Sequence, residues 1–271
     1  MKNNTSLGAI LTVASMLAFA SMDAISKWLV ADYSIGQMMW IRYGVFCVFA
    51  WLVVRKRGLG QALRSQRPVL QATRALLAVV ESAVFVSPLI VIALGALLLG
   101  EKADRTRWLA VAAGFAGVLL IVRPGFRTLD WPLLIPLVGA LLWGVYQLMT
   151  RLSVRTDSPD TTLVWSAFVA FIAMSFVGPW YWQWPDAWAW FLLLVTALLG
   201  AIAHYMLIRA LDYAEASAVQ PYSYTLLVWV TVLGAIVFGD FPDGWTIAGA
   251  AVIVASSLYT WRREKLSAAK P

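Results

Sequence analysis

The run RALLAVVESAVFVSPLIVIALGALLLG, from Arg74 to Gly100, decides how this chain folds. A helix needs about 20 apolar residues to cross a bilayer. The run is too long for one ordinary span and too short for two joined by a loop. Around it, apolar stretches at 8–31, 34–54, 106–122, 131–152, 161–181, 188–208, 217–238 and 244–261 each read as one span. Taking the run as two spans, 70–86 and 87–99, makes ten. With a cytoplasmic N-terminus, 17 of the 21 Lys and Arg then lie on the inner side, Arg74 among them. Arg123 and Arg127 lie outside, and Lys27 and Arg42 lie within spans. Merging the run into one span flips everything downstream and divides the basic residues almost evenly. Cytoplasmic loops carry the excess of Lys and Arg, so the charges favour ten spans with both termini cytoplasmic.

Composition agrees. Of 271 residues, 61% are hydrophobic and 13% charged, with a mean hydropathy of +0.76. A soluble domain carries roughly a quarter charged residues, which excludes a soluble enzyme; disordered and fibrous chains fall on the same figures. The net charge of +7 sits in short gaps between apolar runs, a pattern of membrane orientation and not of nucleic-acid binding. Cys47 is the one cysteine and forms no intrachain disulfide. Met1 to Ala24 has the outline of a signal peptide, with Ala18-Phe19-Ala20 as its cleavage site, but the apolar run continues to Val30 and reads as the first span.

The two halves repeat each other. Gly95-Ala96-Leu97-Leu98-Leu99-Gly100-Glu101 matches Gly234-Ala235-Ile236-Val237-Phe238-Gly239-Asp240 at an offset of 139. Phe19, Asp23 and Lys27 match Trp143, Gln147 and Arg151 at an offset of 124. Five spans per half make the second repeat enter from the opposite side, the inverted-repeat design in which the substrate site lies near the midplane. The expected architecture is an all-α polytopic membrane protein of ten transmembrane helices in two inverted five-helix repeats, residues 1–125 and 126–271. The offset jumps from roughly 121 before Val86 to 139 after Ser87, so the first half lacks about 18 residues that its twin has at roughly Ile208 to Thr225. The expectation is a segment missing between Val86 and Ser87, because a true deletion leaves unpaired backbone ends in lipid.

These features resemble the EamA branch of the drug/metabolite transporter superfamily. The resemblance covers nearly the whole chain. It rests on Asp23-x-x-x-Lys27, Arg42, Gly100-Glu101, Gly114, Gly117 and Gly239-Asp240, with the acidic Asp240 standing where the first half has Glu101. The abundance of Trp adds a similarity to YddG-type exporters of aromatic and other amino acids. The resemblance implies a carrier in a bacterial inner membrane, with a central cavity and the fifth and tenth spans at the periphery.

An ionisable group within a span costs roughly 2.5–3.5 kcal/mol on insertion scales, so it faces protein or water and usually has a role. Asp23 and Lys27 lie four apart on one helix face, either as an ion pair locking the outer end of the span or as a gate for a zwitterion. Arg42 either holds a substrate carboxylate in bidentate fashion or bonds helix-end carbonyls and Asp23. Glu81 is a candidate proton carrier or a protonated packing partner. His204 is the only histidine, a structural hydrogen-bonding residue or a proton-coupling one. Trp180, Trp182, Trp184, Trp188 and Trp190 surround one loop and read as an interface belt. Mid-span aromatics are the candidate substrate contacts: Trp40, Tyr43, Trp143, Tyr146, Trp165, Tyr205, Tyr222 and Tyr224, with Gln147 on the face of Trp143 and Tyr146. Such faces suit a planar substrate or a cation over a ring; packing is the alternative for each. Pro221 removes a backbone hydrogen bond in the ninth span and allows it to bend.

The leading expectation is a secondary carrier exporting aromatic and other neutral amino acids by alternating access. A carrier for other metabolites or planar cationic drugs is the alternative of the same class. An intramembrane enzyme is the alternative of another class, but no His-Glu-x-x-His or Gly-x-Ser-x-Gly occurs, and no phosphate loop serves ATP. No cofactor and no metal site are expected, since one His and one Cys do not furnish a zinc ligand set. The expected partners are a small-molecule substrate and the lipid bilayer, not nucleic acid. A monomer is expected unless the ridge Ala110, Gly114, Gly117 packs on a second copy and not on the chain's own helices.

Overall fold

The computed structural model describes residues 4–81, 105–122 and 134–268, and the elements among them are helical. They are α1 (Thr5–Leu29), α2 (Ile35–Val54), α3 (Pro68–Glu81), α4 (Arg105–Val122), α5 (Leu134–Thr156), α6 (Pro159–Ser175), α7 (Ala187–Tyr213), α8 (Ala216–Ser223), α9 (Thr225–Phe238) and α10 (Gly244–Ala268). Single turns of helix also lie at Leu59–Ala62 and Gly178–Tyr181. The expected span at 87–99, and the break inferred between Val86 and Ser87, lie outside the described residues.

Local chemistry sets the helix ends. The Asn4, Ser34, Ser158 and Asp186 side chains each accept from a backbone N–H three residues on, supplying groups that the first turn leaves unpaired. Gly239 closes α9 in the left-handed region at φ +71°, where its missing Cβ avoids strain. One expectation needs correcting. The ninth span is not one helix but two, α8 and α9, interrupted at Tyr224 just after Pro221. Proline has no N–H to give the ladder, and the Pro221 carbonyl accepts from Ser257 Oγ of α10 at 3.0 Å. Together Ala218–Phe238 is still long and apolar enough to cross a membrane, as are Thr5–Leu29, Ile35–Val54, Pro159–Trp180 and Ala187–Tyr213.

Helix neighbours follow a two-fold pattern. The packing of α1 on α7 is matched by α5 on α3, and α2 on α7 by α6 on α3. The pairs α2–α6 and α4–α10 map onto themselves. Exchanging each span with the one five places along reproduces all of these contacts, as two inverted five-helix units require. The α4–α10 pair meets the rest of the described chain through α8, α9 and α1, and its own packing is tight. There Gly117 and Gly249 bring the backbones so close that a Cβ on either would lie 2.7 or 2.5 Å from the other's carbonyl oxygen. Gly114 seats the Tyr224 ring. The small-residue ridge of the fifth span therefore packs within the chain.

Candidate functional site

Four helices bring rings together at the centre. On α5, Trp143 and Tyr146 are three apart, share a face and stack at 5.3 Å. Phe19 of α1 meets the Trp143 ring edge-on at 6.0 Å and the His204 ring of α7 at 5.0 Å. Phe46 of α2 lies nearly parallel to His204 at 5.8 Å and to Tyr43 at 6.4 Å. His204 is thereby held among aromatic faces, with its Nδ1 3.4 Å from the Tyr146 hydroxyl.

Beneath the rings is a polar network. Arg74 of α3 is fully buried. Its guanidinium donates to Ser166 Oγ at 2.7 Å, Thr162 O at 2.8 Å, Gln71 Oε1 at 3.2 Å, Thr150 Oγ1 at 3.4 Å and Tyr146 Oη at 3.5 Å, and lies 5.5 Å from the Tyr146 ring centre. Among the described residues no carboxylate pairs with it directly. Asp157 is reached only through Gln71, whose Nε2 donates to Asp157 Oδ2 at 2.9 Å. A desolvated cation among neutral oxygens persists only where its hydrogen bonds are met. Tyr146 thus connects the aromatic cluster to Arg74. Beside them, Gln220 of α8 donates to Gln147 Oε1 at 3.0 Å.

A cavity of about 620 Å³ adjoins the cluster, lined by Ala20, Asp23, Ala24 and Lys27 of α1, Leu233 and Phe238 of α9, and Asp240 and Thr246 beyond. Ala20 belongs to the apolar cluster that contains Phe19, Trp143 and Tyr146, and Leu233 packs against that cluster, so the cavity borders the cluster through these two residues. Asp23 and Lys27 line this cavity but are not partners. Lys27 Nζ pairs instead with Asp240 Oδ2 at 3.5 Å and lies 4.0 Å above the Phe238 ring, because the end of α1 meets the end of α9. Asp23 faces Arg42 of α2 across a Coulombic distance without closing an ion pair. The Arg42 stem lies along Gly200 of α7, and its Nε is buried without a partner.

Other expected site residues lie elsewhere. Trp40 donates to Ser175 Oγ at 3.0 Å and stacks on Phe171 at the α2–α6 contact. Trp165 donates to Leu63 O at 3.1 Å, at the turn that follows α2. Tyr205 meets Phe49 edge-on at 6.0 Å, and Tyr224 belongs to the α4–α10 pair. Tyr222 is buried in α8. Glu81 ends α3, and its side chain lies outside the described ones. The sequence reading counted Arg74 only among the inner-side basic residues and did not single out Gln71, Phe46 or Gln220. The Gln71-x-x-Arg74 spacing, two polar groups on one face of an apolar helix, was the available signal.

A model of the EamA-like transporter family matches residues 130–262. A riboflavin transporter of Rhizobium johnstonii is 30% identical, covering 98% of this chain and 94% of its own length. The chain belongs to the EamA-like transporter family. Among other EamA-like relatives, an S-adenosylmethionine uptake transporter of Rickettsia prowazekii is 27% identical, covering 76% of each chain. A crystal structure superposes with a TM-score of 0.77 at 15% identity, covering 95% of this chain and 98% of that one; it shows the shared fold. As an EamA-like protein the chain is a small-molecule transporter of the membrane, not an enzyme.

Proposed function

We propose that this chain carries a planar heteroaromatic metabolite of the riboflavin class across a bacterial inner membrane by alternating access. The observation behind the reading is the stack of Trp143 and Tyr146 with Phe19 and His204, set between the two halves and next to the cavity. Aromatic pairs contribute beyond their buried area, so such a slot favours a flat ring. The riboflavin transporter of Rhizobium johnstonii, matched nearly end to end, supports the same class. The halves are residues 1–125 and 126–271, with both termini cytoplasmic as the basic residues favour. Lys27, Asp240 and Phe238 bridge α1 and α9 at one mouth of the cavity and act as its gate.

The second reading is amino-acid export, the activity the sequence resemblance implies. Arg42 favours it, since its unpartnered Nε beside Asp23 suits the two charges of a zwitterion.

The segment absent between Val86 and Ser87 belongs to the same proposal. The Rhizobium alignment spans 292 positions while including 98% of 271 residues, leaving about 26 positions for which this chain has no residue. An intact mass above 29.9 kDa for protein expressed from the native gene supports the missing segment; an equal mass refutes it.

The test of function is flux into proteoliposomes of labelled riboflavin, tryptophan and S-adenosylmethionine, with and without a pH gradient. Riboflavin flux that Trp143→Ala lowers at least tenfold is the expected result. Tryptophan flux without riboflavin flux moves the assignment to the second reading, and flux of neither compound removes both. Gradient dependence assigns proton coupling to Asp23, Glu81 or His204.

A further inference from the structure

Gln147 of α5 and Gln220 of α8 are both fully buried. They share a single hydrogen bond, Gln220 Nε2 to Gln147 Oε1 at 3.0 Å. Among the described residues, Gln147 Nε2 and Gln220 Oε1 are left with no partner. Setting the two amides the other way round changes the owners but not the outcome, because one bond between two amides always leaves a nitrogen on one and an oxygen on the other. Buried polar atoms are almost always hydrogen-bonded, and each exception calls for a reason. Packing gives none: leucine at both positions would fill the space without an unmet donor or acceptor. Gln147 lies one helical turn beyond Trp143 on the same face of α5. Val219, the neighbour of Gln220, belongs to the cluster that holds Phe19, Trp143 and Tyr146. One amide donor and one amide acceptor thus stand together beside the aromatic cluster.

We infer that Gln147 and Gln220 read the edge of the transported ring, taking an adjacent pair of one ring acceptor and one ring N–H donor. The amide N–H donates to the ring carbonyl or ring nitrogen, and the amide oxygen accepts from the neighbouring N–H. The inference rests on the proposed riboflavin-class reading and deepens it, since a flavin carries such a pair in the –CO–NH–CO– group of its pyrimidine ring. Indole has a donor with no adjacent acceptor and leaves one glutamine unmet. A site built to hydrogen-bond a ligand rejects the analogue that lacks the group far more strongly than an apolar pocket does.

The test is equilibrium binding to the purified full-length protein in two arms. The first compares riboflavin with 3-methylriboflavin; the second compares adenosine with N6,N6-dimethyladenosine, because adenine offers the same pair through N1 and its amino group. Gln147→Leu and Gln220→Leu are measured beside the wild type. We expect at least tenfold weaker binding of 3-methylriboflavin to the wild type, and a ratio falling toward one in both variants. The single variants should melt somewhat lower, since each strands the other glutamine, while the Gln147→Leu/Gln220→Leu double variant should hold or rise because it removes both amides; a purely structural role for the pair lowers the double variant as well and leaves the ligand ratio unchanged. Discrimination in the adenine arm alone keeps the inference and removes the flavin reading. Ratios near one in both arms of the wild type, or ratios that the variants leave intact, overturn the inference.

Discussion

Where α4 meets α10, glycines and aliphatic side chains bring the backbones together, with Gly117 against Gly249 and the Tyr224 ring over Gly114. Around α5, where α1, α3, α7 and α8 reach it, the same membrane contains a fully buried Arg74, a histidine among rings and two half-paired amides. The first contact is what association in lipid asks for, small residues and close backbones. The second goes against it at several points, since buried polar groups are expensive there. Natural sequences depart from local economy mostly where function demands it. The difference supports the proposal that the centre is the working region and the α4–α10 pair scaffold.

The strongest way to break this comparison is Arg74→Met. It deprives several buried acceptors of their donor, each worth roughly 1–3 kcal/mol, and should abolish transport while lowering the denaturation midpoint sharply. Arg74→Lys keeps the charge but not the planar fork and should fall between. Gly117→Leu tests the scaffold side. Overpacking should cost about 1–3 kcal/mol, read as a lower melting temperature, with flux per folded molecule unchanged within about twofold. Equal loss of flux from both substitutions would erase the distinction. Tyr146→Phe sharpens it by removing only the hydroxyl between His204 and Arg74. A loss of about 1 kcal/mol is expected, with flux reduced severalfold. Lys27→Ala should do least to stability. Its pair with Asp240 is 61% and 70% exposed, and exposed pairs contribute about 0–1 kcal/mol; a double-mutant cycle with Asp240→Ala checks the value, while a change in flux without a change in stability marks the gate.

Much of the architecture was legible because apolar length is a strong signal. Spans read at 8–31 and 34–54 correspond to helices at Thr5–Leu29 and Ile35–Val54. Less legible was anything set by distant neighbours. Arg74 looked like a flanking cation because the groups that receive its hydrogen bonds come mostly from α5 and α6, far along the chain. Lys27 looked like the partner of Asp23 because spacing on one helix is visible and the approach of Asp240 is not. Among the aromatics, Trp143 and Tyr146 stack as their shared face suggests, while Gln147 of the same face meets Gln220. Trp40, Trp165, Tyr205 and Tyr224 went elsewhere because depth along a span does not say which neighbour the side chain meets.

The central claim is that the substrate occupies the cavity beside the aromatic cluster. Ala24 lines that cavity and is partly exposed. In a Cys47→Ser background, Ala24→Cys should react with a membrane-permeant thiol reagent, and labelling should slow at least severalfold when riboflavin, or tryptophan under the second reading, is present at saturating concentration. Unchanged labelling by a compound that the same protein demonstrably transports would place the substrate path elsewhere and contradict the account.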